Sequence, residues 1–216
     1  MGVIFDNFSL YVDGFLTTLK FCAFALVGSL IIGTVIAAFR VSPVPPLRWF
    51  GTSWVNVFRN CPLTVVLFFC AFGLPELGIN GEYFWFGVLG LVLYTSAFVC
   101  EAVRSGINAV PAGQAEAARA VGLTFQQSLS IVIMPQAFRT VVPPLGSVII
   151  AMIKNSAIAG AFGVPGDLFD VGEVLTSAQG LAAVPVLTGV ALGYLAITIP
   201  VGLLLGLLER KVAIAR

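Results

Sequence analysis

Hydrophobic and polar positions segregate along this chain on the scale of whole helices. Five apolar stretches, at about 14–39, 54–73, 83–100, 143–163 and 184–208, are separated by polar pieces. A helix needs about 20 apolar residues to cross roughly 30 Å of hydrocarbon. The pattern therefore predicts an all-α integral membrane protein with five transmembrane helices in one domain spanning 1–216. Residues 1–13 are mixed, and Phe5, Phe8 and Tyr11 suit an interfacial helix. Pro143 and Pro144 are expected to open the fourth span, and Pro200 to kink the fifth. Gly189/Gly193 and Gly202/Gly206 are small-xxx-small pairs suited to helix contacts.

The longest polar interruption, residues 110–135, sits in a loop expected over 101–139. Pro111 suits a first helical position, and Gly122 suits the left-handed residue that ends a helix. The alanine-rich run between them predicts a rod of about 15 Å. Thr124-Phe-Gln-Gln127 fits a capping box, so a second short helix is expected, ended by Pro135. Residues 120–138 carry no charge and mimic a span, but Thr124, Gln126, Gln127, Ser128 and Ser130 make them polar. A helix lying on lipid headgroups needs large apolar anchors and Lys or Arg. Ala112, Ala115, Ala117, Ala118 and Ala120 instead permit close approach of another protein surface.

Charge orients the spans. Asp6, Asp13, Glu76, Glu82, Asp167, Asp170 and Glu173 fall on one side of a five-span chain. Arg40, Arg48, Arg59, Arg104, Arg119, Arg139, Arg210, Lys211 and Arg216 fall on the other, and the positive-inside rule makes that side cytoplasmic. The N-terminus is then outside and the C-terminus cytoplasmic. A sixth span through 120–138 would strand the C-terminal basic residues outside. No basic segment precedes the first span, so that span is expected to act as the insertion signal.

Composition narrows the chemistry. Hydrophobic residues make up 59% and charged residues 10%, against roughly 25% charged in soluble domains. A net charge of +1 leaves no footprint for nucleic acid. The absence of His removes the commonest general base and metal ligand. Cys22, Cys61, Cys70 and Cys100 lack paired spacing and read as small core hydrophobes, so no metal site is expected. No Gly-x-x-x-x-Gly-Lys-Ser/Thr run occurs, so ATP-driven transport would need a separate ATPase polypeptide. Lys154 falls ten residues after Pro144, about 15 Å along a helix and near the bilayer midplane. Either it is structural, bonded to carbonyls or to Glu101, or the Lys154-Asn155-Ser156 turn lines a solute path. Arg59, near a span end, either snorkels or gates.

Glu116-Ala117-Ala118, Gly122 and Val132-Ile133-Met134-Pro135 resemble the cytoplasmic-loop signature of ATP-binding cassette (ABC) importer permeases. The wider run is similar to the polar amino-acid branch, the histidine/glutamine/glutamate permease type. Its matching pieces are Phe58-Arg59-Asn60-Cys61-Pro62-Leu63, Glu101-Ala-Val-Arg104-Ser-Gly106, Pro111-Ala-Gly113-Gln114, Pro135-Gln136-Ala137 and Lys154-Asn155-Ser156. The resemblance implies a type-I ABC importer permease fold in the bacterial cytoplasmic membrane, working by alternating access and not itself an enzyme. It implies two copies of an ATP-binding subunit that hold ATP and Mg, a sister or identical second permease, and an extracytoplasmic amino-acid-binding protein. Coupling to the ATPase then falls to Glu116 through polar contacts, to Ala117 and Ala118 through small size, and to Gly113 and Gly122 through turns at the helix ends. The resemblance places Arg59 near the cytoplasmic side, as a gate. Asn155 stands where the family often has Asp; a neutral amide suits glutamate or glutamine better than a cationic amino acid. The rival class, a secondary carrier, would show a buried carboxylate near the midplane, for which Glu101, at a span end, is the sole candidate.

Overall fold

The computed structural model describes residues 2–212, and these are helical throughout apart from turns and short connections. The expected cytoplasmic charge Arg216 lies outside the described residues. A short helix α1 (Gly2–Asp6) leads into α2 (Phe8–Val41), which begins six residues before the apolar stretch predicted it. Then come α3 (Pro45–Asn60), α4 (Leu63–Phe68) and, after a π turn at Phe69–Gly73, α5 (Leu74–Glu76). The helix α6 (Tyr83–Asn108) and the short α7 (Ala112–Ala120) follow. Next, α8 (Phe125–Gln127) passes through a π turn at Ser128–Ile133 into α9 (Met134–Gly160). The chain closes with α10 (Leu168–Glu173), a π turn at Val174–Ala178, and α11 (Ala183–Val212).

Four helical runs are long and apolar enough to cross a membrane: Phe8–Val41, Tyr83–Asn108, Phe125–Gly160 and Ala183–Val212. The fifth, expected over 54–73, is not one rod. Pro45–Asn60 and Leu63–Glu76 meet at 104°. Pro62 has no amide to continue the helix and pushes Cys61 into extended backbone at ψ 134°. Pro143 and Pro144 do not open the fourth run; they lie inside α9, which is continuous with the polar segment before it. Nor does Pro135 end that segment. A helix satisfies most of its own backbone, and in a membrane protein neighbouring groups supply donors to the carbonyls that proline frees. Thirty-six residues make a rod of about 54 Å, far longer than the hydrocarbon layer, so one end must project.

The core forms around α2 and α6. Thr18, Phe21, Cys22, Ala25, Ser29, Gly33, Ile36 and Ala37 are buried and share one face of α2 by their three- and four-residue spacing. That face meets α6 at Gly28 and Gly33, where an added Cβ would lie 2.7 Å from Val92 Cγ2 and 2.6 Å from Val99 Cβ. Glycine there lets the two helices touch. The cysteines are free thiols, three of them buried. In α11, Gly189 packs against the Tyr11 ring and Gly193 against Leu168, whereas Gly206 meets nothing within 4 Å.

The connection between the fourth and fifth apolar stretches, which carries Asp167, Asp170 and Glu173, is a folded hairpin pressed into the core. Leu168, Val171, Gly172 and Leu175 are buried. Asp167 is 1% exposed and caps α10 by accepting the Asp170 amide at 2.8 Å. Burial raises its pKa from the ordinary 3.8 to about 6. Asp167, and not the half-buried Glu101, is therefore the buried carboxylate among the described residues.

Candidate functional site

Two places in the fold carry the residues singled out from sequence: the projecting α7 segment and a groove between α6 and α9.

Pro111 is the N-cap of α7, one position earlier than expected, with ψ 137°. Gly122 adopts φ +85°, and its amide donates to the Arg119 carbonyl at 3.0 Å. The Leu123 amide donates to the Ala118 carbonyl at 3.1 Å, completing a Schellman cap. Gly113 needs no special backbone: it sits inside the helix, and an added Cβ would meet nothing within 4 Å. Glu116 and Ala117 are exposed, but Ala118 is buried against its own chain. Its small size serves internal packing. The capping box is complete: Gln127 donates its amide to Thr124 Oγ1, and the Thr124 amide donates to Gln127 Oε1. Sequence reading missed Val121 and Phe125, which flank Gly122 and stand 77% and 79% exposed. Large apolar residues so placed mark a surface that protein or lipid covers. Beside a helix cap, their apolar character alone reads as a local packing contact.

This segment is tied to the long helices. Gln136 Nε2 donates to Gln114 Oε1 at 3.4 Å, and Thr140 Oγ1 donates to the Gly106 carbonyl at 2.8 Å. These bonds link α7 to α9 and α9 to α6.

The helices α6 and α9 run antiparallel, with Gly87 against Val164 and Gly106 against Val141. Between them lies a groove of about 240 Å³, lined by Tyr94, Thr95, Phe98, Ser147, Met152 and Asn155, among others. Drug-sized ligands occupy roughly 300–1,000 Å³, so this one suits a smaller solute. The Lys154-Asn155-Ser156 turn splits three ways, as steps of about 100° along a helix require. Asn155 enters the groove, Lys154 is exposed, and Ser156 is buried, donating to the Ile153 carbonyl at 2.7 Å. Lys154 makes no ion pair with Glu101, whose carboxylate belongs to three arginines. Arg40 takes Oε1, Arg104 Nη2 is 3.2 Å from Oε2, and Arg59 Nη1 is 3.7 Å from Oε1. The Arg59 guanidinium also lies 5.9 Å from the centroid of the Phe98 ring, a wall of the groove. Trp54 Nε1 donates to Ser96 Oγ at 3.1 Å and fixes the rest of α3 to α6.

Residues 29–214 match the profile of the binding-protein-dependent transport system inner membrane component family. The chain belongs to that family. It is a permease component of a bacterial ABC transporter, a multi-pass protein of the cytoplasmic membrane, and ATP is handled by a partner ATPase. A probable glutamine ABC transporter permease protein, GlnM of Bacillus subtilis, is 42% identical over 98% of this chain and 97% of its own. The glutamate transport system permease protein GluC of Corynebacterium efficiens is 41% identical over 94% and 93%. The permease's fold matches the crystal structure of an amino acid ABC transporter with histidines, at TM-score 0.90 and 33% identity over 97% of each chain. An inward-facing methionine ABC transporter, at TM-score 0.72 and 21% identity, shares the fold. The architecture is that of a type-I ABC importer permease. Family membership brings with it an ATPase and a solute-binding protein as partners and removes the self-sufficient secondary carrier.

Proposed function

We propose that this permease imports polar amino acids, glutamine or glutamate above others, along the groove that Asn155 lines. Relatives above 40% identity that are described as glutamine and glutamate permeases support the class. The observation that carries the site is that, of the Lys154-Asn155-Ser156 turn, Asn155 alone faces the groove. Its amide offers both donors and an acceptor to a neutral or acidic side chain. The permease is a single domain whose N-terminus is outside and whose C-terminus is cytoplasmic. One of the two ATPase copies docks on residues 111–122, with Glu116, Ala117, Gly113 and the Gly122 cap facing it and Val121 and Phe125 as apolar anchors. ATP binds one conformation more tightly than the other, and the ties from α7 to α9 and α6 turn that difference into alternating access. A second permease, sister or identical, covers the open side of the groove, where Ser147, Ala151 and Lys154 are exposed. The extracytoplasmic binding protein delivers the solute at the opposite end from α7.

Replacing Asn155 with Asp tests this. A carboxylate in that groove attracts cationic side chains and repels acidic ones. Uptake by proteoliposomes holding the full transporter, measured with a panel of amino acids, should shift toward arginine and lysine and away from glutamate. A wild-type profile removes Asn155 from the path.

A further inference from the structure

Glu101 has more cationic neighbours than it can satisfy. Arg40 and Arg104 occupy its two oxygens, and the cluster retains an excess of two positive charges. The three arginines are not equivalent. Arg40 is 14% exposed and held tightly, whereas Arg59 is 47% exposed and stands at 3.7 Å, beyond hydrogen-bond reach. Its donors are unspent on Glu101. Arg59 is also the next-to-last residue of α3, beside the 104° elbow at Cys61-Pro62. The antiparallel register sets Tyr94 level with Asn155 and Phe98 level with Ala151, so the guanidinium over Phe98 stands four residues of α9, or about 6 Å, from the level of Asn155. From Ser147 to Asn155 is eight residues of helix, or about 12 Å. That length holds one amino acid lying along the groove.

We infer that Arg59 is the receptor for the solute's α-carboxylate. The guanidinium fork pairs with a carboxylate through two parallel N–H···O bonds, a geometry a single ammonium cannot reproduce. With Glu101 already saturated by Arg40 and Arg104, transfer of Arg59 from Glu101 to the solute leaves no carboxylate unpaired. The solute's carboxylate in turn offsets charge that the cluster carries in excess. The solute then lies with its α-carboxylate at Arg59 and its side chain at Asn155. One end reads what all amino acids share, the other what distinguishes them. Lys154, though nearer in sequence to Asn155, is on a different face and takes no part.

This assignment rests on the groove being the solute path, and the test separates the two. The permease–ATPase complex is placed in phosphatidylcholine nanodiscs, without binding protein and without anionic lipid to compete. Equilibrium binding of L-glutamine and of L-glutamine α-amide is measured for the wild type, Arg59→Gln, Arg59→Lys and Asn155→Ala. The wild type should prefer the acid to the α-amide at least tenfold. Arg59→Gln should bring that ratio close to one, and Arg59→Lys should recover part of it. Asn155→Ala should weaken both ligands alike and leave the ratio unchanged. A preference that persists in Arg59→Gln, or its absence from the wild type, overturns the role of Arg59. Unchanged affinity for both ligands in Asn155→Ala overturns the groove reading instead. Disruption of the cluster alone would weaken both ligands without moving the ratio, which would also reject Arg59 as receptor.

Discussion

Gly122 offers the sharpest test of whether α7 transmits force. Its φ of +85° costs an L-residue about 1–2 kcal/mol in the left-handed region, and a β-branched residue is a true outlier there. Two capping bonds depend on that conformation, each contributing about 1 kcal/mol. Gly122→Val must therefore either hold the strained turn or lose both bonds, and the cheaper route costs about 1–2 kcal/mol. That makes opening of the helix end about 5–30 times more frequent. Nothing lies within 4 Å of the added Cβ, so no clash complicates the result. The buried Ala118 keeps the other face anchored. Gly122→Asn is the control, because asparagine tolerates this conformation. The assay is solute moved per ATP hydrolysed by the reconstituted transporter. Gly122→Val should lower that ratio about tenfold with ATPase activity retained, and Gly122→Asn should keep most of it. Equal damage in both variants would show that bulk at the docking surface matters and not backbone conformation. No damage in either would refute a rigid lever.

Three further outcomes are expected. In a Cys61→Ser background, Glu173→Cys should react with an impermeant thiol reagent from outside and Glu116→Cys should not; the reverse pattern would invert the orientation. Gly33→Ala brings a Cβ to 2.6 Å from Val99 Cβ and 2.7 Å from the Ser96 carbonyl, an overpacking worth about 1–3 kcal/mol. Thermal unfolding in detergent should fall for it and not for Gly206→Ala, and equal melting of the two would contradict the α2–α6 crossing. The folded Asp167 carboxyl binds its proton more tightly than the unfolded one. The Asp167 contribution to wild-type stability should therefore be full below pH 3.8, be lost as pH rises from 3.8 toward about 6, and stay absent above that. Asp167→Asn keeps an N-cap without a titrating group, so its melting temperature should exceed that of the wild type at pH 7.5 and lose this slope. Parallel profiles for the two proteins would show that another group is responsible.

Much of the molecule is legible from local pattern. The Schellman glycine at 122 and the Thr124–Gln127 box act over one or two helical turns, and the fold obeys both, whereas the apolar stretch at 54–73 is broken by the elbow at Pro62. The coupling-loop signature is likewise contiguous, and the family match bears out the type of protein it indicated. Proline was read less well. Pro62 breaks its helix while Pro135, Pro143, Pro144 and Pro200 are carried inside theirs, because the outcome depends on what neighbouring helices supply to the freed carbonyls.

The face each residue presents needed the assembled chain. Asp167 is charged, lies in a polar stretch and is nevertheless buried, since a hairpin inserted between α2, α9 and α11 buries whatever its first turn carries. Lys154, Asn155 and Ser156 are neighbours in sequence but take different directions, and only the packing of α9 against α6 decides which one enters the groove. Arg59 meets Phe98 and Glu101 across a distance of about forty residues in sequence, a relation that no local period encodes. Sequence by itself determined that the chain is a membrane helix bundle interrupted by a short capped polar helix, because hydropathy and capping act locally along the chain. Tertiary structure alone decided which polar groups share a space, because that depends on helix rotation and on contacts between residues far apart.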